Sequence, residues 1–253
     1  MGAGDIAVCG SSGTEGTARL LDSIDGTVFT TGDNAYFTGS RQDFRDCYHP
    51  TRGRHKHRTR PAPGNHEYEN PAAAPYFEYL GESAGPDCHG YYSYMVGEWQ
   101  VISLNSNISA GAGSAQAQWL RTELAAGARR CTLAYWHHAL FSSGPNGDAP
   151  QMRDIFRILY DLGAEIVIAG HEHLYERFAR QTADGVPDPE RGIRQCVVGT
   201  GGAPLSQFPT IRPNSEVRLS THGVLKLGLA AGSFTWEFIT LSGPRDSGSG
   251  SCR

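Results

Sequence analysis

Apolar runs that stop abruptly at short polar clusters set the rhythm of this chain. Residues 27–31, 131–135 and 165–169 are rich in Val, Ile, Thr and Tyr and read as buried strands. Directly after them come Gly32-Asp33-Asn34-Ala35-Tyr36, Trp136-His137-His138 and Gly170-His171-Glu172-His173, and a fourth cluster, Gly64-Asn65-His66-Glu67, lies between. Helical spacing of apolar residues predicts helices over 14–24 (Ala18, Leu20, Leu21 and Ile24, with Thr14 as N-cap), 74–80, 116–126 (Trp119, Leu120, Leu124) and 151–162 (Met152, Ile155, Phe156, Leu159). Strands are predicted over 91–96 and 99–104, turning at Gly97-Glu98, and then over 195–198, 223–229 and 233–240. Helix–strand alternation giving way to strands alone implies an α/β core finished by an antiparallel sheet, in one domain over residues 1–241. The Ser/Gly-rich tail 242–253 reads as disordered unless Cys252 tethers it.

Composition narrows the function classes. At 253 residues the chain can bury a substantial core, and a net charge of −4 creates no global field for nucleic acid or an anionic membrane. No apolar run approaches the roughly 18–20 residues that cross a bilayer. The six cysteines form no C-x-x-C pair, so a zinc knuckle or a thioredoxin-like motif is not indicated, and their even number suits disulfides and a secreted protein whose export signal is absent from this sequence.

The polar clusters hold oxygen and nitrogen ligands at strand ends, where sites on α/β sheets form. His171 and His173, two apart in an extended segment, project to the same side. Asp33 carries two oxygens and can bridge two cations, Asn65 offers an amide oxygen, and His137 offers a ring nitrogen. Such a mixed set suits Zn, Fe or Mn better than Ca or Mg. The cation-rich stretch from Arg52 to Arg60 reads as a solvated loop with local salt bridges. His49, His89 and His222 read as ordinary surface or turn residues, and Gly199-Thr200-Gly201-Gly202 as a strand-ending turn.

Five blocks in order, Gly4-Asp5-Ile6-Ala7, Gly32-Asp33-Asn34-Ala35-Tyr36, Gly64-Asn65-His66-Glu67, Ala134-Tyr135-Trp136-His137 and Gly170-His171-Glu172-His173, resemble those of the calcineurin-like metallophosphoesterases. Ala7 stands where most relatives place a histidine, and Tyr36 follows Asp33 by three residues; both features resemble the purple acid phosphatase branch. The resemblance implies two packed mixed β-sheets flanked by helices. It also implies a dinuclear centre of Fe(III) plus a divalent Zn, Fe or Mn. One ion would be held by Asp5, Asp33, Tyr36 and His173, the other by Asp33, Asn65, His137 and His171. His66 would bind substrate or protonate the leaving group, and His138 would stand in for substrate histidines that residues 142–146 lack. The implied activity is hydrolysis of small phosphate monoesters by water whose pKa the cations lower to about 7. Phosphodiester hydrolysis and metal-dependent phosphate capture without turnover are the alternatives. The β-domain that precedes the catalytic domain in plant-type members is missing from this sequence, so a monomer is expected.

Overall fold

The computed structural model describes residues 1–126 and 131–253. Its larger sheet has seven strands: β3 (Tyr92–Val96), β4 (Trp99–Ser103), β5 (Cys131–His138), β6 (Ile166–Gly170), β7 (Tyr175–Phe178), β8 (Arg194–Val198) and β9 (Ser215–Leu219), in the order β3-β4-β5-β6-β8-β7-β9. Strands β4, β5, β6 and β8 are mutually parallel, while β3, β7 and β9 join antiparallel at the flanks. The second sheet pairs β1 (Val28–Thr31) with β2 (Thr59–Ala62) in parallel, and β10 (Gly223–Ala230), β11 (Ser233–Thr240) and β12 (Asp246–Ser251) antiparallel. Gly2 joins the two halves by bridging Phe29 on one side and Leu225 on the other.

Period-two alternation explains why the central runs are apolar throughout. Leu133, Tyr135, Ile166, Ile168, Cys196 and Val198 face the second sheet and pack with Phe29, Leu225, Trp236 and Phe238. Their neighbours Ala134, Trp136, Val167, Ala169 and Val197 face the other way, onto Leu120, Ile155, Phe156 and Leu159. Those last residues come from α2 (Ala115–Ala126) and α3 (Arg153–Asp161). Strands covered on both faces need apolar residues at every position. The expected two-sheet sandwich flanked by helices is therefore the observed architecture.

Several local expectations need correction. Helix α1 (Ser12–Asp22) begins two residues early, because the Ser11 side chain, and not Thr14, accepts from the first-turn amide of Thr14. Strand β8, assigned above to the antiparallel block, inserts beside β6 in parallel. The 242–253 tail is ordered as β12 and is fastened by a Cys131–Cys252 disulfide that spans 121 residues. A second bridge joins Cys9 to Cys47, so four of the six cysteines pair; Cys196 is buried in the inter-sheet core and Cys88 lies exposed on the surface, and neither is in a disulfide.

The stretch from Arg52 to Arg60 is not a solvated loop. It forms a 3-10 helix (Arg52–Arg58) with Arg52 and His55 buried. Arg58 donates to the carbonyls of Leu21, in the last turn of α1, and of Ile24 and Gly26 just past it, and Arg54 pairs with Asp22. Arg52, which donates to Thr17, thus joins Arg54 and Arg58 in fastening this stretch to α1.

Candidate metal centre

Parallel pairing sends the carboxyl ends of β1, β2, β5 and β6 to one edge, and the polar clusters meet there. Asp33 and Asn65 follow β1 and β2, His137 and His138 end β5, and His171 and His173 follow β6. Asp5 follows the Gly2 bridge, which supplies the place of a first strand. It is fully buried, and its Oδ2 accepts from the His171 amide at 2.9 Å.

Two foci of donor atoms result. At the first, Tyr36 Oη lies 3.0 Å from Asp5 Oδ1, 3.1 Å from Asp33 Oδ2 and 3.0 Å from His173 Nε2, and His173 Nε2 lies 3.3 Å from Asp5 Oδ1. At the second, His137 Nε2 lies 2.9 Å from Asn65 Oδ1, 3.2 Å from His171 Nδ1 and 3.3 Å from Asp33 Oδ2. The same oxygen of Asp33 takes part in both. Backbone carbonyls orient the imidazoles: Nδ1 of His137 donates to Thr31 O and Nδ1 of His173 to Pro204 O, each at 2.8 Å, leaving Nε2 for the interior.

This donor set fits cations. One phenol proton cannot serve two carboxylates and an imidazole at once, and one imidazole proton cannot serve an amide oxygen, a carboxylate and a second imidazole. Buried carboxylates so placed need positive charge. Without a cation, the imidazoles supply it. Burial pulls His137 down, but the Asp33 carboxylate outweighs it and holds the ring up at about 9. His173 is likewise lowered by burial and carried up to about 9 by Asp5. Burial and the charge on His137 press His171 down to about 4 and His138 to about 3. Asp33 is opposed by burial yet held low by His137 and His66, and burial with two neighbouring carboxylates pushes the Tyr36 phenol far up.

The backbone is contorted to make this arrangement. Asp5, Asp33 and His171 all adopt left-handed φ, at 57°, 48° and 71°. Such conformations in non-glycine residues persist where the surroundings over-determine them and cluster at functional sites. Two of the flanking glycines are there for room: a Cβ on Gly64 would collide with the Asp33 carboxylate, and one on Gly32 would lie 2.5 Å from His137 Nδ1.

His66 and His138 occupy the rim. The His66 amide donates to Asp33 Oδ1 at 3.0 Å, its Nδ1 engages the Phe37 carbonyl and lies 3.1 Å from Glu69 Oε1, and its Nε2 is 3.7 Å from Asp33 Oδ2. His138 Nδ1 meets Ser106 Oγ at 2.8 Å, and its ring lies 4.5 Å from that of His171.

Glu67 is the residue whose role the sequence hid. Fully buried, it accepts from the amides of Gly64 (2.7 Å), Asn34 (2.8 Å), Asp33 (3.1 Å) and Ala35 (3.3 Å), so it ties the second block to the third. Burial and the Asp33 charge push it up to about 7 against the pull of those amides. Its place in the Gly-Asn-His-Glu block was the only signal, since its partners other than Gly64 lie 32 to 34 residues upstream.

The calcineurin-like phosphoesterase family model matches residues 3–175. An uncharacterized protein of Mycobacterium tuberculosis is 30% identical over 203 residues, covering 64% of this chain and 38% of its own. Purple acid phosphatase 15 of Arabidopsis thaliana is 28% identical over 241 residues, covering 79% of this chain and 45% of its own, so the chain spans less than half the length of these relatives. Purple acid phosphatase from yellow lupin (Lupinus luteus) seeds superposes with a TM-score of 0.87 at 20% identity, over 99% of this chain and 53% of that one. With its two-sheet fold, its converging Asp, Asn, His and Tyr donors and a family match over most of its length, the chain belongs to the calcineurin-like phosphoesterases and resembles their purple acid phosphatase members.

Proposed function

We propose that this chain hydrolyses phosphate monoesters with two cations bound, one among Asp5, Asp33, Tyr36 and His173 and the other among Asp33, Asn65, His137 and His171. The observation that carries the reading is the double engagement of Asp33 Oδ2, 3.1 Å from Tyr36 Oη and 3.3 Å from His137 Nε2. Fe(III) suits the focus with the phenol oxygen, and Zn, Fe or Mn the focus with two imidazoles. When bound, the cation pair supplies hydroxide near neutral pH and neutralises phosphate oxygens.

The side chains of this chain do the rest. Asp5, Asp33 and His137 lie fully buried at the floor of the site, while the partly open His66 and His173 give it a mouth. With Nδ1 engaged by Phe37 and Glu69, His66 presents Nε2 to that mouth, placed to give a proton to the departing alkoxide as the ester P–O bond breaks. His138, kept neutral, is placed to hydrogen-bond a phosphate oxygen. The purple acid phosphatase relatives support a monoester over a diester, and the two disulfides support an oxidising, extracytoplasmic setting.

The test is a comparison of phenyl phosphate and diphenyl phosphate hydrolysis by protein of measured metal content. Turnover of the monoester that scales with two bound ions per chain is expected. Faster diester turnover would reassign the substrate class, and phosphate binding without turnover of either would leave a capture protein.

A further inference from the structure

Phe37 is the most exposed large apolar side chain among the described residues, at 63%, and it follows Tyr36 directly. Its backbone is fixed on every side. The Gly39 amide donates to Ala35 O at 3.0 Å, the Thr38 amide to Asp43 Oδ2 at 3.1 Å and Asn70 Nδ2 to Thr38 O at 2.6 Å, while His66 Nδ1 engages the Phe37 carbonyl. The phenyl ring itself packs on little. It meets the Tyr36 ring edge-on at 5.9 Å, and Tyr36 in turn lies 4.6 Å from the His66 ring and 5.9 Å from that of His173. A rigid loop therefore holds a bare aromatic face one ring outward from the two partly open histidines of the mouth.

Phe37 borders that mouth through its carbonyl contact with His66 and its ring contact with Tyr36, so a phosphoryl group seated between the two histidines has this ring beside its leaving group. Resting on the monoesterase reading above, we propose that Phe37 is a specificity-determining residue that packs against a flat aromatic leaving group, so that aryl phosphates are preferred to small alkyl phosphates. An aromatic pair forming in a partly solvated cleft changes affinity by about 3- to 10-fold.

The measurement is kcat/KM for phenyl phosphate and for glycerol 2-phosphate on metal-loaded wild type, Phe37→Ala and Phe37→Trp. Comparing the aryl-to-alkyl ratio between variants cancels the better leaving ability of phenol, and a general structural fault would lower both rates and leave the ratio alone. The ratio should fall about 3- to 10-fold in Phe37→Ala and hold in Phe37→Trp. Calorimetry with phenylphosphonate and methylphosphonate should show the same fall in selectivity without turnover. An unchanged ratio in both measurements, with wild type active, would overturn the role of Phe37 alone. Failure of wild type to hydrolyse or bind any of these compounds would overturn the reading of the site and this inference with it.

Discussion

The Tyr36 hydroxyl lies 3.0 Å from Asp5 Oδ1 although 31 residues separate the two in sequence. With the Asp33 carboxylate beside it as well, the phenol stays protonated until a strong cation displaces its proton. Iron-replete protein should therefore be violet or pink from a tyrosinate-to-Fe(III) band, and Tyr36→Phe should lose the colour while keeping the ion through Asp5, Asp33 and His173. A visible band that survives the substitution would remove Tyr36 from the coordination shell.

Because one oxygen of Asp33 serves both foci, Asp33→Asn should lower occupancy of both ions and abolish nearly all turnover. Elemental analysis that finds just one ion lost would show that the carboxylate is not shared. His66→Ala should keep both ions and lose roughly 10²–10⁴ in rate, the usual worth of an acid–base group.

Glu67 holds Asp33 and Gly64 through their amides without reaching the donor foci, so Glu67→Gln should act through position. Metal affinity should fall by about 10- to 100-fold, in line with other outer-shell substitutions, and excess metal should restore most of the rate. Unchanged affinity would make Glu67 a matter of fold stability only.

The imidazoles give the cation-free protein a distinctive pH profile. His137 and His173 are raised to about 9 from an ordinary value of about 6.5, so their contribution to stability is fully present below about 6.5 and is lost as pH rises through about 9. His171 and His138 are lowered to about 4 and about 3, and their contribution is present above about 6.5 and is lost as pH falls toward those values. Tm after chelation should fall as pH rises from about 6.5 through about 9, and Glu67, raised to about 7, adds to that loss. Metal loading at pH 7.5 should release protons from His137 and His173, which calorimetry in buffers of different ionisation enthalpy will count; loading with no proton release would contradict the assignment of both residues as ligands.

Thiol titration of the denatured, unreduced protein should find Cys88 and Cys196 alone. Cys252→Ser should cost roughly 2–4 kcal/mol in denaturant unfolding. Six reactive thiols in natively produced protein would refute the oxidising compartment.

The sheets and the donor residues were legible where the pattern is local. Runs such as Val28–Thr31 and Ile166–Gly170 are covered on both faces and so are apolar throughout. Strand β2 escaped because Arg60 and Pro61 break its apolar run, and β7 because Glu176 and Arg177 look like surface residues, although Glu176 is fully buried against Ser143 and Ser215. The partners of Arg58 are the Leu21 carbonyl of α1 and the Ile24 carbonyl just past it, and a backbone carbonyl leaves no trace in a sequence. Six cysteines gave no indication of which two stay reduced, since that depends on β8 turning Cys196 into the inter-sheet core and on Cys88 standing exposed in the Pro86–Cys88 turn.

The left-handed backbone at Asp5, Asp33 and His171 carries a consequence for descent. Each position asks its residue to hold a conformation that glycine accepts freely, at a cost of order 1 kcal/mol or more per residue. In a lineage that no longer needed the chemistry, Asp33→Gly or His171→Gly would relieve that strain while deleting a donor. Relief of backbone strain and loss of a donor would then lie along the same mutational step.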